Sequence, residues 1–302
     1  MKRALTLVLT GVSMCGCAST PSAHRSLDSV QQWSSRMVAH QGMERMSGLD
    51  PVDDWALLLW TQRAFDDPET YPGHVPLFVH MQETIDVAMA RTLVEFDGDA
   101  LFFCDLRSLD AESAAVLASG PHELFFDALT ELSPATARAL VDGGTRRLSL
   151  KGITQLDVET AQVLAELDGS LHLDGLARAD LATVRALAEW RGWGEQVILH
   201  LGLMDPTVEQ IETLATSEGW GIALDQITAL NPELAATLGT IVRPYLSLNG
   251  ITEMTTATAR VIGQWRAKFL VLNGLERADA EQRALLEQGC EALSTRSLPE
   301  LD

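Results

Sequence analysis

From residue 77 to the end of the chain, one pattern of apolar and polar positions recurs every 23 or 24 residues. Aligned on its first leucine, the pattern reads L-x-L-x-G-L-x-x-L-x-x-x-x-A-x-x-L-A. A fixed period of this length is typical of repeat architectures, in which each copy is one small structural unit. A step of 27 residues before Ile198 is the exception. The copies begin at Leu77, Leu101, Leu124, Leu148, Leu171, Ile198, Ile222, Leu246, Leu270 and Leu293.

Each copy predicts a strand followed by a turn. The first residues alternate between apolar and polar, as in Leu148-Ser-Leu150, which predicts a short strand with one buried face. Asp-Gly or Asn-Gly then stands at residues 174–175, 249–250 and 273–274. These dipeptides tolerate positive φ and favour a turn. A further Leu or Ile returns the chain to the core.

Each turn leads into a predicted helix. Polar residues that cap helices stand at the start, and Pro134 and Pro232 occupy the first helical position, which suits proline. An alanine and, three residues later, a Leu or Ile face inward at helical spacing. The predicted caps are Asp110, Ser133, Asp157, Asn231, Thr255 and Asp279. The inward alanines are residues 90, 114, 137, 161, 235 and 259.

Stacking is the way in which such units bury both a strand face and a helix face. We therefore expect a curved α/β solenoid, with parallel strands on the concave face and helices on the convex face. The pattern resembles the leucine-rich-repeat superfamily, most closely the short 23–24-residue repeats of planctomycete-like bacterial proteins. The resemblance covers residues 77–302, as nine repeats plus a truncated C-terminal repeat, with Gly-Leu where the best-known repeat has a buried Asn. It implies a protein-binding scaffold without chemistry of its own.

The N-terminus resembles a bacterial lipoprotein signal peptide. Lys2 and Arg3 precede a short apolar stretch, and residues 1–16 end at a small residue before Cys17, the predicted site of lipidation. Met14 stands where the family has leucine, and an ordinary secretory signal cut nearby is the alternative. Ala18, in place of the Asp of inner-membrane lipoproteins, favours the outer membrane of the cell envelope by resemblance. Residues 17–48 are predicted to be a flexible tether.

Residues 49–76 are predicted to form an N-terminal helical cap and a loop. Asp50 and Pro51 are a cap and a first helical residue, and residues 53–65 are apolar over much of a helical circumference. Such a helix would cover the exposed end of the solenoid core.

Composition narrows the function classes. The chain has 42 acidic and 22 basic residues and a formal charge of −20, which argues against nucleic-acid binding and suits an acidic surface or a basic partner. G-x-S-x-G, H-E-x-x-H, P-loop and dinucleotide-binding motifs are absent from the sequence, so we expect neither an enzyme nor a cofactor. Cys104 and Cys290 lie in distant copies and are predicted to be buried thiols.

Three phenylalanines occupy the outward second position of neighbouring strands: Phe78, Phe102 and Phe125. An apolar patch of this size usually marks a contact surface, which predicts a protein partner. The favoured alternative is that the helix of residues 49–65 or the tether of the same chain folds over the patch.

A second group of outward residues comprises His172, Asp174, His200 and Asp225. Strict alignment of the copies turns His200 inward, whereas burying the aliphatic residues of Val197–Leu201 turns it outward, and we favour the second because it buries no imidazole. Two imidazoles and two carboxylates on adjacent strands can hold a divalent metal. The favoured alternative is a row of solvated side chains, so no metal is predicted.

Trp190, Trp193 and Trp220 follow helices near the enlarged copy. They are predicted either to fill the gap that this copy leaves or, as an insertion at a binding edge, to stack on sugars.

Together these patterns predict a non-enzymatic, membrane-anchored protein-interaction scaffold of the cell envelope. The alternative is a glycan-, peptidoglycan- or metal-binding envelope module.

Overall fold

The computed structural model describes residues 58–61, 76–80, 82–96, 99–192, 194, 197–241, 243–265, 267–288 and 290–295. Strands and helices alternate along them. The strands are β1 Leu58–Thr61, β2 Pro76–His80, β3 Ala100–Phe103, β4 Glu123–Phe125, β5 Arg147–Ser149, β6 Ser170–Leu173, β7 Ile198–Leu201, β8 Gly221–Ala223, β9 Tyr245–Ser247, β10 Ala267–Val271 and β11 Cys290–Ser294. The helices are α1 Val87–Val94, α2 Ala111–Ala118, α3 Pro134–Asp142, α4 Val158–Ala165, α5 Leu181–Leu187, α6 Val208–Ala215, α7 Pro232–Leu238, α8 Thr256–Ile262 and α9 Ala280–Gln288.

All of these strands belong to one sheet in which each strand pairs with its neighbours in sequence. The strands from β2 to β11 are parallel, with a helix between each successive pair. The predicted α/β repeat fold with stacked parallel strands is therefore confirmed. Which face of the sheet is concave stays a prediction.

The register of the sheet places the first leucine of each copy beside that of the next. Leu77 lies opposite Leu101, and Leu148 lies opposite Leu171. The enlarged copy is aligned one residue later than predicted, because Leu171 pairs with Leu199 and not with Ile198. The buried row of leucines is continuous as a result, since Leu199 also pairs with Ile222.

The core lies between the sheet and the helical layer. The paired first residues of the copies from Leu77 to Leu270 and all six predicted inward alanines are buried, and Leu293 in the last copy is half-buried. The predicted caps Asp110, Ser133, Asp157, Asn231 and Thr255 each accept a hydrogen bond from a backbone N–H in the first helical turn, and Asp279 does the same for Gln282. Caps that the sequence analysis missed are Asp86, Asp180 and Thr207.

The turn glycines have a different role from the one predicted. Among the described residues, positive φ occurs at Gly144 and Gly194, and the Asp-Gly and Asn-Gly turns do not use it. A Cβ atom at Gly175 would lie 1.9 Å from the Lys151 carbonyl oxygen, and one at Gly274 would lie 1.7 Å from that of Asn249. Glycine is required at these turns because the backbone of the preceding copy lies against them.

The prediction of an N-terminal helical cap is wrong for the residues of this segment that the structure describes. Leu58–Thr61, inside the predicted helix, forms strand β1 and pairs antiparallel with β2. An apolar run of this length is compatible with a buried strand as well as with a helix, and only the strand satisfies the backbone groups along the edge of β2. The rest of 49–76 outside β1 and β2 is not described.

Three other predictions lie outside the described residues: the signal peptide 1–16, lipidation at Cys17, and the tether up to residue 48. Within the described ranges, no helix is long and apolar enough to cross a membrane. Cys104 and Cys290 are half-buried, and not fully buried as predicted.

Candidate functional site

The candidate site lies on the outer face of the sheet, which we define as the face turned away from the helices. Alternation along each strand places every second side chain on this face. The second strand position forms one row across the sheet, since its members pair strand by strand. This row contains Phe102, Phe125, Ser149, His172, His200, Ala223, Ser247 and Val271.

Aromatic side chains occupy the N-terminal end of the row. The rings of Phe102 and Phe125 are stacked, with centroids 3.9 Å apart and planes 10° from parallel. Both side chains are half-buried. Phe78 pairs with Phe102 through the backbone, and its side chain lies outside the described part of the chain. Two of the three predicted phenylalanines are thus brought together.

Two histidines are stacked at the centre of the row, on β6 and β7. His172 pairs with His200, and their ring centroids are 3.9 Å apart with planes 15° from parallel. The outward orientation predicted for His200 from strand alternation is confirmed. Asp174 follows β6, and its carboxylate oxygens lie 3.7 Å from Nδ1 of His172 and 4.0 Å from Nδ1 of His200.

The cluster is sheltered from solvent without being closed to it. The side chains of His172, His200 and Asp174 are 15%, 19% and 26% exposed. The pKa of His200 is lowered to about 3, mainly by burial and next by His172, with smaller contributions from Lys151 and Arg147, while Asp174 opposes the shift. Burial alone would raise the pKa of Asp174, but His172, His200 and Lys151 outweigh it and lower the pKa. At neutral pH the cluster therefore combines a neutral His200 imidazole with a carboxylate.

Asp225 does not join this cluster, contrary to the prediction. It follows β8, two strands away from β6, and Gly202 occupies the corresponding position between them. The Asp225 carboxylate accepts hydrogen bonds from the Ser247 hydroxyl at 2.6 Å and from the Asn249 backbone N–H at 2.8 Å. The prediction was wrong because it assumed that the aspartates of different copies have equivalent surroundings. It did not consider that Asp225 accepts hydrogen bonds from residues of the next copy.

The hydrogen bonds of Asp225 belong to a series that recurs along the sheet, which we call the turn ladder. In each case the polar residue after one strand accepts a hydrogen bond from a serine on the next strand. The pairs are Ser149 with Asp127 at 2.5 Å, Ser247 with Asp225 at 2.6 Å, and Ser294 with Asn273 at 3.0 Å. Asn249 extends the ladder by accepting the Asn273 backbone N–H at 2.8 Å.

Of the two roles predicted for the tryptophans, Trp190 has the first. Trp190 is completely buried, with its indole N–H donating to the Gly169 carbonyl at 3.2 Å, so it fills the gap left by the enlarged copy. Trp193 lies outside the described residues. Trp220 is half-buried and stacks on Tyr245 with ring centroids 5.5 Å apart.

Tyr245 and Phe269 are surface aromatics that the sequence analysis missed. Phe269 pairs with Tyr245 across β9 and β10, and its ring centroid is 6.3 Å from that of Trp220. Lys268 places its Nζ 5.4 Å from the Phe269 ring centroid. Each residue directly precedes the first leucine of its copy, a position that alternation places on the outer face, and this was the available signal.

Clefts on the helical side are separate from the His172–Asp174–His200 cluster. One of 240 Å³ is lined by Arg185, Glu189, Arg191 and Glu218, and Arg191 lies 4.0 Å from Glu218. Opposite charges face each other there, which is typical of a solvated surface.

Comparison with known proteins adds no family assignment. No family model matches the chain, and no curated protein is significantly similar to it in sequence.

Proposed function

We propose that the chain is a non-enzymatic, lipid-anchored scaffold of the bacterial cell envelope that binds a protein partner on the outer face of its sheet. The observation that carries the proposal is the stacked pair of Phe102 and Phe125 on that face. Adjacent aromatic side chains on an open sheet surface offer the kind of apolar patch that protein interfaces use at their centre.

This surface suits a partner that has apolar side chains at the centre of its interface and both positively and negatively charged side chains around them. Arg147 pairs with Glu123 at 3.3 Å beside the phenylalanines, and Lys151 and Asp127 follow the same two strands. A net charge of −20 favours a partner that is basic overall, because opposite charges speed association.

Substitution of Phe125 by Asp tests the binding surface. The matched control is Val271→Asp, which places the same charge in the same row at the other end of the sheet. We expect partner capture from envelope extracts by the full-length protein to fall at least about tenfold with Phe125→Asp and to persist with Val271→Asp. Undiminished capture by a folded Phe125→Asp variant contradicts the proposal.

The anchor is tested separately, by Cys17→Ser. The proposal expects the wild-type protein in the membrane fraction and the variant in the soluble fraction, because acyl chains supply the membrane affinity. An unchanged distribution of the variant excludes lipidation at Cys17.

Glycan binding is the second candidate function, favoured by Trp220, Tyr245 and Phe269. These half-buried rings are neighbours, and strand alternation places Tyr245 and Phe269 on the outer face. Trp190 cannot contribute, since it is buried. Co-sedimentation with peptidoglycan that is lost in Trp220→Ala, but retained in Phe125→Asp, would support this function in place of protein binding.

A further inference from the structure

We propose that His172, Asp174 and His200 form a binding site for a Zn²⁺ ion on the outer face of the sheet, independent of the protein-binding surface. Each residue offers one ligand atom, and these three atoms all lie within 4.8 Å of one another. Two imidazole nitrogens and one carboxylate oxygen are a ligand set that zinc favours in proteins.

The distances leave room for an ion between the ligands. The Asp174 oxygens lie 3.7 Å and 4.0 Å from the histidine Nδ1 atoms, which is too long for direct hydrogen bonds. In tetrahedral zinc sites with bonds of about 2.0–2.1 Å, adjacent ligand atoms are about 3.3 Å apart. The two gaps to Asp174 close to this value with side-chain movements of less than about 1 Å.

Asp174 provides an independent indication of a missing partner. Its Oδ2 is buried and accepts no hydrogen bond from any described residue. Leaving a buried carboxylate oxygen without a partner costs free energy, and such an atom usually contacts a donor or a cation. A zinc ion between the histidines and this oxygen supplies the contact.

The two histidines are placed side by side by the sheet. His172 pairs with His200 on the neighbouring strand, and each imidazole has a nitrogen that can bind zinc. Pairing of β6 with β7 fixes the backbone of both residues, and the stacked rings turn about their side-chain torsions so that both nitrogen lone pairs point at the ion.

Lys151 and Arg147 are the cations whose charges act on the cluster, and they oppose a dication. Arg147 is partly neutralised by its ion pair with Glu123. Three protein ligands also leave one position of a tetrahedral ion to water. We therefore expect a labile site with an accessible fourth position rather than a closed structural one.

Calorimetric titration of the full-length protein with ZnCl₂ tests the proposal. We expect one ion per chain whose binding is weakened more than about 100-fold by His172→Gln and by His200→Ser. Asp127→Asn, which alters a carboxylate at the equivalent turn two strands away, should leave binding unchanged. MgCl₂ should give no binding, because Mg²⁺ prefers oxygen ligands.

All of these proteins retain the same four cysteines, so zinc bound by thiols is common to them and cancels in the comparison. Circular dichroism confirms that each variant is folded. Absence of zinc binding to the wild-type protein overturns the proposal, as does equal zinc affinity in the wild-type protein and a folded His200→Ser variant.

Discussion

Asp174 and Asp225 occupy the same position in their repeats, yet their surroundings differ. Asp225 accepts hydrogen bonds from the Ser247 hydroxyl and the Asn249 backbone N–H. Asp174 faces His200 at 4.0 Å in place of a serine, and its Oδ2 has no hydrogen-bond donor among the described residues. At one turn the carboxylate joins the turn ladder, whereas at the other it remains available.

Two residues on the strand that follows each aspartate account for the difference. The next strand supplies serine at Asp225 and His200 at Asp174. The residue two positions later is Asn249 in one region and Gly202 in the other, and the Gly202 N–H donates to the Leu173 carbonyl at 3.0 Å instead of to the carboxylate. Where one copy departs from the repeat, a side chain that stabilises the fold in the other copies is therefore released from that role.

Removal of Trp190 should have the largest effect in the region of Asp174. Trp190→Ala is expected to cost about 3–5 kcal/mol in the free energy of unfolding, because it empties a completely buried site. The Trp190 indole also bonds to Gly169, directly before β6, so zinc affinity should fall with stability. Denaturant unfolding and zinc titration measure the two effects, with Trp190→Phe as the milder variant.

Trp265 is the matched control in the region of the turn ladder. It is 6% exposed and its indole N–H donates to the Ala235 carbonyl at 3.0 Å. Trp265→Ala should lower stability by a similar amount while zinc affinity persists. A loss of zinc binding in both variants would show that Trp190 does not act through β6.

The turn glycines should behave alike in the two regions. A Cβ at Gly202 would lie 2.0 Å from the Asp174 carbonyl oxygen, and one at Gly274 would lie 1.7 Å from that of Asn249. We expect Gly202→Ala and Gly274→Ala each to cost about 2–3 kcal/mol of stability through overlap with backbone.

Gly144→Ala separates this overlap from backbone strain. Gly144 has a φ of 75° and no atom within 4 Å of its would-be Cβ, so the cost should be only about 1–2 kcal/mol. Equal losses at Gly144 and Gly274 in thermal unfolding would contradict the role assigned to close backbone stacking.

Substitutions of Ser247 and His200, which face the two aspartates from the next strand, distinguish Asp225 from Asp174. Ser247→Ala should destabilise the protein by about 1–2 kcal/mol, since it removes a donor from a partly buried carboxylate. His200→Ser should change stability by less than about 1 kcal/mol, because a new hydrogen bond to Asp174 offsets the lost ring stacking. A large loss in His200→Ser would indicate that the histidine is structural.

The helix caps give the smallest effect and belong to neither region of the outer face. Hydrogen bonds from the Ser113 and Thr160 backbone N–H groups lower the pKa of Asp110 and Asp157 below the usual value. Their stabilisation is present above the unfolded pKa of about 3.9 and is lost as the pH falls through and below it. The free energy of unfolding decreases as the pH drops below about 5, and in Asp157→Asn this decrease should be smaller by a few tenths of a kcal/mol. Unfolding experiments at each pH measure the difference.

The sequence predicted the parts of the fold that depend on local residue patterns. The period of the leucines predicted the parallel sheet, and alternation within residues 197–201 predicted the outward orientation of His200. Most helix caps were predicted for the same reason, since a cap bonds to residues only three positions away.

The remaining features depend on contacts between copies, which local patterns do not report. The sequence left two roles open for Trp190, and its burial and its bond to the Gly169 carbonyl decide between them. Asp225 is separated from His200 by its bonds to the following strand, and the turn glycines are required by the backbone of the preceding copy. In each case the deciding atom belongs to a residue more than 20 positions away.

The absorption spectrum of the protein titrated with Co²⁺, which replaces zinc in tetrahedral sites, most directly tests whether the difference between Asp174 and Asp225 is functional. We predict intense visible bands of a tetrahedral ion with nitrogen and oxygen ligands in the wild-type protein, and their loss in His200→Ser. A spectrum that is identical in the two proteins, or dominated by thiolate-to-metal charge transfer, would contradict the account.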